Sequence, residues 1–325
     1  MRQIVLEQPG RFASVDAAPP EPRADEALVR VHRVGVCGTD LHAFAGRQPF
    51  FTYPRVLGHE LGVEVVEAPA NGRGVRPGDR SAVEPYLNCG QCHACRAGKY
   101  NCCERLEVLG VHTDGGMREL IAVPVERLHK SERLSLDQLA LVETLGIGAH
   151  AVARSGLRAG EDALVVGAGP IGLAVVQFAL AAQGRVRVLE VSPERRKFVA
   201  RLGVETLEAP DDRLADVVFD ATGNASAMGQ SLGRVAHAGR LVFVGLVQGP
   251  VSIDDPLFHR REMTLLATRN SAGDFPRIIQ MIEQGLIDTV PWITHRCALA
   301  EVPALFPELP RDKHCVKAMI EVASQ

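Results

Sequence analysis

The sequence predicts an α/β protein in two parts, an irregular and mostly β region followed by a doubly wound parallel sheet. Three observations carry that expectation. Five cysteines crowd one short loop between residues 89 and 103 of a region dense in glycine and proline. A glycine-rich turn at 167–172 joins an apolar run to an apolar helical stretch. From there to about residue 270, short apolar runs recur between helical and turn-forming stretches.

Length and composition bound the rest. A chain of 325 residues suggests about two domains, and 46% hydrophobic residues are ample for a buried core. A net charge of -3 and a pI near 6.4 give no basic surface for nucleic acid or membrane. The opening residues, MRQIVLEQPGRF, lack the apolar core of a signal peptide. No uncharged apolar run approaches the roughly 20 residues that a membrane helix needs. Cysteines gathered in one loop, with Cys37, Cys297 and Cys315 scattered, fit metal binding in a reducing cytoplasm better than a disulfide framework.

In the first region, 27–40 reads as a β-branched run broken by Gly38, 61–68 as a second strand, and 74–85 as a turn followed by a strand. Cys89, Cys92, Cys95 and Cys103 follow the spacing C-x2-C-x2-C-x7-C, which lets four thiolates close on one zinc ion. Such a site has no open position and holds its loop together; Cys102 is the spare thiol and His93 points to solvent. Cys37-Gly38-Thr39-Asp40-Leu41-His42, Gly58-His59-Glu60 and Glu143 hold the remaining chemistry. A thiolate, an imidazole and a carboxylate would leave a fourth zinc position open, as catalysis requires. Singly, each also reads as ordinary: a small apolar Cys37, a satisfied core His59, an exposed strand acid at Glu60, a first-turn helix acid at Glu143.

In the second region, Ala163–Val166 is a short apolar run of the kind buried on both faces. It leads into Gly167-Ala168-Gly169-Pro170-Ile171-Gly172 and a helix to about Ala182, with a second strand, RVRVLE, behind it. That context makes G-x-G-x-x-G a dinucleotide fingerprint, with the pyrophosphate on the helix N-terminus. Glu190 closes the second strand, 18 residues after Gly172. An acid there accepts the adenosine ribose hydroxyls and repels a 2′-phosphate, which favours NAD over NADP. Arg195 and Arg196 weigh the other way, either as 2′-phosphate ligands or as the solvated face of a helix over 193–202. Runs at 216–224, 240–246 and 262–270 end at Thr222, at Gly245 with Leu246, and at Arg269 with Asn270. Carboxyl ends of parallel strands face the ligand, so these residues are cofactor candidates. The dozen residues between Gly203 and Asp216 leave room for a shortened helix or none. Past 270, 275–287 has helical periodicity and 315–322 reads as a strand, with His295, His314 and Cys315 structural.

Together these motifs resemble one family, the zinc-dependent medium-chain dehydrogenases/reductases that include alcohol and polyol dehydrogenases. The resemblance spans nearly the whole chain and also takes in Asp114-Gly115-Gly116. It implies a GroES-like β-barrel catalytic domain, residues 1–141 and 271–325, with a Rossmann doubly wound parallel sheet domain inserted at 142–270. Cys37 and His59 look like catalytic zinc ligands, with Glu60 as the acid that binds or supports the metal. Many alcohol dehydrogenases use a second cysteine as third ligand. This chain lacks one and carries Glu143 in ALVETLGIGAH, similar to the A-x-x-E-P-L stretch of sorbitol-type enzymes with Thr144 in place of proline. The stretches 48–60 and 101–120 are similar to those of bacterial L-galactonate-type sugar-acid oxidoreductases, and the chain is shortened near 70–74 and 204–215.

What the resemblance implies is a hydride transfer between a secondary alcohol (polyol, sugar or sugar acid) and NAD, with two zinc ions per chain. Zinc would acidify the substrate hydroxyl, Thr39 would hold it, and His42 would relay its proton. Asp40 would orient a ligand histidine, and Phe50, Phe51 and Tyr53 would wall the pocket. Family habit suggests a homodimer or homotetramer. The competing readings are a simple alcohol or threonine-type dehydrogenase, a zinc-free quinone reductase, and a non-catalytic regulatory protein on the same fold.

Overall fold

The computed structural model describes residues 1–48 and 51–323. It consists of two compact units, Met1–Glu143 with Phe275–Gln325, and Thr144–Asp274. The division falls two residues later than the expected 141/142 and four later than 270/271, so that Glu143 belongs to the first unit.

The first unit is built on a seven-stranded sheet. Its order is Leu128–Lys130, Arg80–Val83, Glu60–Glu67, Glu26–Gly35, Lys317–Glu321 and Ile293–Ala298, with Leu120–Pro124 also paired to Glu26–Gly35. Three further strands, Arg11–Asp16, Arg2–Gln8 and Arg55–Val56, form a small second sheet. Glu26–Gly35 is the hub, pairing with three partners, and Val29, Val31 and Val34 on it are fully buried. β-Branched residues suit such a pleated, covered surface. The strand ends sooner than its sequence suggests. The run over 27–40, expected to break at Gly38, ends as a strand at Gly35 and turns at Cys37 into a helix, Gly38–Phe44. The cause is local: the Asp40 carboxylate accepts the Cys37 backbone N–H at 2.9 Å, satisfying a donor at the helix entrance.

The carboxyl-terminal segment rejoins this unit. Lys317–Glu321 lies antiparallel to Glu26–Gly35, with Met319 opposite Gly35. The helix Phe275–Glu283 buries Phe275, Ile278, Ile279 and Ile282, the i, i+3, i+4, i+7 stripe of an amphipathic helix.

The second unit is a six-stranded, all-parallel sheet. Numbered along the chain, its strands Asp162–Val166, Arg185–Leu189, Glu205–Leu207, Ala215–Asp220, Val235–Phe243 and Thr264–Ala267 lie in the order 3-2-1-4-5-6. The order reverses between the first and fourth strands, and ligands bind at that crevice. Helices Pro170–Ala181 and Pro193–Ala200 make the first two crossovers. No helix forms between Leu207 and Ala215. Charge pins that short loop instead: Asp211 accepts from the buried Arg187 and from Arg213, and Arg213 also pairs with Glu205. Among the described residues, no helix is long and apolar enough to cross a membrane.

Candidate active site and metal centres

The first site forms where three segments of the first unit meet. Sheet register puts Gly35 opposite Glu60, the next residue outward is near the helix entrance at Cys37, and His59 precedes the Glu60 strand. As a result the ligand atoms of Cys37, His59 and Glu60 all lie within 4.8 Å of one another. Gly35 makes this possible: a Cβ there would stand 2.0 Å from Glu60 Oε2. His59 and Glu60 are almost fully covered, and Cys37 is half-buried.

Each anion in this cage has its own restraint. Asp40, 1% exposed, uses one oxygen for the Cys37 N–H and turns the other, Oδ1, toward His59 Nδ1 at 3.8 Å. Neither of those two facing atoms has a hydrogen-bond partner. Glu60 is gripped by Lys317, whose ammonium donates to Oε1 at 2.6 Å, to Oε2 at 2.8 Å and to the Val36 carbonyl at 3.2 Å. Glu143, at the start of the helix Val142–Ser155, accepts a hydrogen bond from the Tyr86 hydroxyl. Burial pushes the Glu143 carboxyl above its usual range, and the charge of Glu60 adds to the rise while His59 opposes it. Burial alone would lower the His59 pKa, but Asp40 and Cys37 hold it well above its ordinary value. The acids and the thiol gathered around this imidazole give the cage a negative potential, which favours a divalent cation. The donor set of thiol, imidazole and carboxylate suits zinc with an open position.

Thr39 and His42 lie three residues apart on the Gly38–Phe44 helix and so share a face. Thr39 is half-buried and His42 is exposed. Partial covering and the nearby Arg47 keep the His42 pKa below its ordinary value. Phe51 and Tyr53 pack edge to face and lie against the core, with the Tyr53 hydroxyl donating to the Ala43 carbonyl. They brace this helix; Phe50 lies outside the described residues.

The second cluster is the cysteine lobe. The sulfurs of Cys89, Cys92, Cys95 and Cys103 also lie within 4.8 Å of one another. Backbone N–H groups of Cys89 and Arg105 both donate to Cys103 Sγ at 3.3 Å, and Asn88 Nδ2 approaches Cys95 Sγ at 3.5 Å. The Gln91 backbone N–H helps to pull the Cys89 thiol down to about 6. Donors aimed at sulfur stabilise thiolates, the form that binds metal, whereas burial outweighs the two donors at Cys103 and pushes its thiol up to about 11. Cys102 and His93 are exposed.

In the second unit the three fingerprint glycines have separate reasons. Gly167 has φ +92°, which a side chain resists. Gly172 packs so closely that a Cβ would meet the Gly167 carbonyl oxygen at 1.9 Å. Gly169 faces open space, its nearest neighbour being Arg195 at 3.8 Å from a notional Cβ. That gap, at the N-terminus of the helix Pro170–Ala181 and beside Ile171, is a cradle a pyrophosphate can fill. Glu190 accepts N–H bonds from Ala168 at 2.6 Å and Ser192 at 2.8 Å, one on each oxygen. It therefore clamps the glycine turn to the second strand, and each oxygen keeps a lone pair for a ribose hydroxyl. The two arginines separate. Arg196 is tied to the carbonyls of Glu190 and Val191, each at 2.8 Å, and to Glu208, whereas the Arg195 guanidinium stands over the glycine turn.

At the next strand ends, Asp220 accepts from Thr222 through N–H at 3.0 Å and hydroxyl at 2.6 Å, and from Ser231 at 2.7 Å. Gly245 packs on Gly223, where a Cβ would be 2.4 Å from the Gly223 nitrogen. Leu246 is 73% exposed, an apolar surface offered at a strand end. Arg269 and Asn270 follow the last strand, Asn270 with φ 54°.

Sequence reasoning missed four residues that shape these sites: Lys317, Tyr86, Gly35 and Asp220. Lys317 had a readable signal, being one cation inside the apolar run Cys315–Ile320. A lysine so placed must be paired if it is buried.

The chain resembles known proteins along most of its length. Residues 23–133 match the family described as alcohol dehydrogenase GroES-like domain, and residues 170–284 the family described as zinc-binding dehydrogenase. L-galactonate-5-dehydrogenase of Escherichia coli (strain K12) is 38% identical over 335 residues, covering 98% of each chain. A solved structure from E. coli CFT073, a short chain alcohol dehydrogenase (rspB) complexed with cofactor NADH, superposes with a TM-score of 0.94 at 29% identity, covering 99% of each chain. A zinc-binding dehydrogenase from Sinorhizobium meliloti 1021, bound to NADP, superposes with a TM-score of 0.93 at 30% identity, again over 99% of each chain.

Proposed function

The chain belongs to the zinc-dependent medium-chain alcohol and polyol dehydrogenases, and from that premise we propose that it oxidises a secondary hydroxyl of a sugar acid or polyol with NAD. The observation that carries the reading is the convergence of Cys37, His59 and Glu60 within 4.8 Å from segments far apart in sequence. The similarity to an L-galactonate-5-dehydrogenase over nearly all of both chains supports a sugar acid.

Cys37 and His59 would hold the catalytic ion, with Glu143 as third ligand, although Glu60 and not Glu143 is the acid in the group of ligand atoms within 4.8 Å. Charge favours this set. One thiolate and one carboxylate balance a divalent ion, while Glu60 and Lys317 already neutralise each other at 2.6 Å. Cys89, Cys92, Cys95 and Cys103 would hold the second, structural ion. When bound, the catalytic zinc makes the substrate hydroxyl acidic and the nicotinamide takes the hydride. The residues supply place and protons. Asp40 Oδ1, 3.8 Å from His59 Nδ1, would orient the ring as a metal ligand. Thr39 would accept a hydrogen bond from the substrate hydroxyl and, as that proton arrives, give up its own toward His42, which is on the same helix face and exposed to solvent. Partial burial and Arg47 lower the His42 pKa, and an imidazole can relay a proton onward to solvent. In the second unit, Gly169 and Arg195 receive the pyrophosphate, Glu190 the ribose hydroxyls, and Thr222, Gly245, Leu246, Arg269 and Asn270 line the remaining strand ends. Glu190 disfavours a 2′-phosphate, so NAD is preferred over NADP.

We further infer a cytoplasmic homodimer or homotetramer. Five cysteines gathered in one loop, in a metal-ligand spacing rather than a disulfide framework, support a reducing compartment. The edge strand Thr264–Ala267, with Leu265 37% exposed, offers unpaired backbone for a second copy. The deciding experiment is a screen of NAD- and NADP-linked oxidation across polyols, aldonates and simple secondary alcohols, with zinc measured on the same sample. About two zinc ions per chain and turnover of an aldonate or polyol are expected. Cys37→Ser should lose turnover and one ion while the lobe ion stays; wild-type turnover in that variant would refute the catalytic assignment.

A further inference from the structure

Tyr86 touches the cysteine lobe with its ring and Glu143 with its hydroxyl. Its ring is a core member of the cysteine lobe, packed with Cys103 and Leu106 and flanked by Cys89, Cys92, Cys95 and Val108. Its short strand, Tyr86–Leu87, pairs with Glu107–Val108, which follows the lobe, so the ring is held from both ends of that loop. Its hydroxyl reaches out of the lobe and donates to Glu143 Oε1, 57 residues away in the chain. Tyr86 is 1% exposed and Glu143 5%, so water does not substitute for this bond. Among the described residues no other hydrogen-bond donor reaches Glu143. Lys317, the nearby cation, spends its donors on Glu60 and Val36.

A buried carboxylate held by one donor has its direction set by that donor. The phenol takes one oxygen and leaves the other for a metal, and groups of this kind behind a ligand commonly set metal affinity. A tyrosine has few rotatable bonds, so the position of its hydroxyl follows the position of its ring. The lobe fixes the ring.

We propose that Tyr86 is a positioning residue that couples the four-cysteine lobe to the catalytic metal site, the lobe seating its ring and its hydroxyl aiming Glu143. This rests on Glu143 being a zinc ligand. The lobe ion then has a task beyond holding its loop: it sets how tightly the other ion is held.

The test is zinc binding to the metal-stripped full chain, titrated against a chromophoric chelator with no substrate or dinucleotide present. Wild type should show two sites. Tyr86→Phe keeps the ring and removes only the hydroxyl. It should retain the lobe site unchanged and weaken the other about 10–100-fold, with an unaltered circular dichroism spectrum. In a Glu143→Gln background, Tyr86→Phe should cause no further loss, which separates aiming of Glu143 from general support. Cys92→Ser, which opens the lobe, should weaken the catalytic site as well; if that variant does not fold, the Tyr86→Phe and Glu143→Gln titrations decide alone. Catalytic-site affinity within twofold of wild type in Tyr86→Phe, or additive losses in the double variant, overturns the proposal while leaving the dehydrogenase reading intact. A wild-type chain that binds only the lobe ion overturns both.

Discussion

Replacing Lys317 with methionine tests the charge arrangement of the cage most directly. The side chains of Lys317 and Glu60 are 2% and 1% exposed, and all three ammonium donors are used. At an effective dielectric of about 20, unit charges about 2.7 Å apart attract by about 6 kcal/mol, a gain largely offset by the cost of drying both groups. Methionine keeps most of the volume but strands the Glu60 carboxylate and the Val36 carbonyl. Orphaning one member of a buried pair costs about 3–5 kcal/mol. Urea unfolding of zinc-free Lys317→Met at pH 8, followed by a probe in the first unit, should show a loss of that size. The deficit should shrink as the pH falls, because the stranded carboxyl can neutralise itself with a proton. The double variant Lys317→Met with Glu60→Leu removes both charges and should recover most of the loss. A single variant within about 1 kcal/mol of wild type, or a double variant equal to the sum of its parts, would refute the pairing argument.

Three further outcomes follow from the same geometry. Gly35→Ala pushes a methyl to within 2.0 Å of Glu60 Oε2, so it should cost about 2–3 kcal/mol by overpacking and lower catalytic-site zinc affinity in the chelator titration. Arg195→Ala should weaken NADH binding about five- to tenfold by fluorescence titration, about 1–1.4 kcal/mol, whereas Arg196→Ala should chiefly lower thermal stability; the reverse pattern would mean that the wrong arginine has been assigned. In the second unit Glu161 is opposed by burial but accepts from the Arg158 backbone and from the Arg158 and Arg240 side chains, which bring its pKa to about 2. A depressed carboxylate pKa gives stability that is complete above the unfolded value near 4.5 and lost as the pH falls toward 2. Glu161→Gln should therefore cost about 1–2 kcal/mol at pH 7, after discounting for the exposed Arg158, and nothing measurable at pH 2.

The parts legible in the sequence are those whose partners are near in sequence. The lobe can be read because x2 gaps put three thiolates within one turn of chain. The glycine turn can be read because strand, turn and helix are consecutive, and the 3-2-1-4-5-6 order follows once that unit is recognised. The entrance to the Gly38–Phe44 helix was within reach too, since Asp40 three residues after Cys37 is a capping signal, but the β-branched run before it favoured a strand. The bond between Tyr86 and Glu143 spans 57 residues and that between Lys317 and Glu60 spans 257. Pattern along the chain does not show what residues so far apart in sequence face. Glu190 is a third case. Its place at a strand end is readable, but its grip on the Ala168 and Ser192 N–H groups depends on how the turn folds back.

That division has a physical basis in the cage. Cys37, Asp40, Glu60 and Glu143 would repel one another if each were charged and unrestrained. The fold separates them by giving Asp40 the Cys37 N–H and the His59 ring, Glu60 a lysine, and Glu143 a phenol. In the ligand set proposed above, a metal ion at Cys37, His59 and Glu143 would complete this balance, because Lys317 is already paired with Glu60. The donors must converge on one ion and so come in motifs. The restraints need only reach one donor each, and any strand or loop that passes within hydrogen-bond distance can supply them. Exchange of a restraint should therefore change metal affinity and the pH range of binding while leaving the ligand set in place, whereas exchange of a donor should abolish the site.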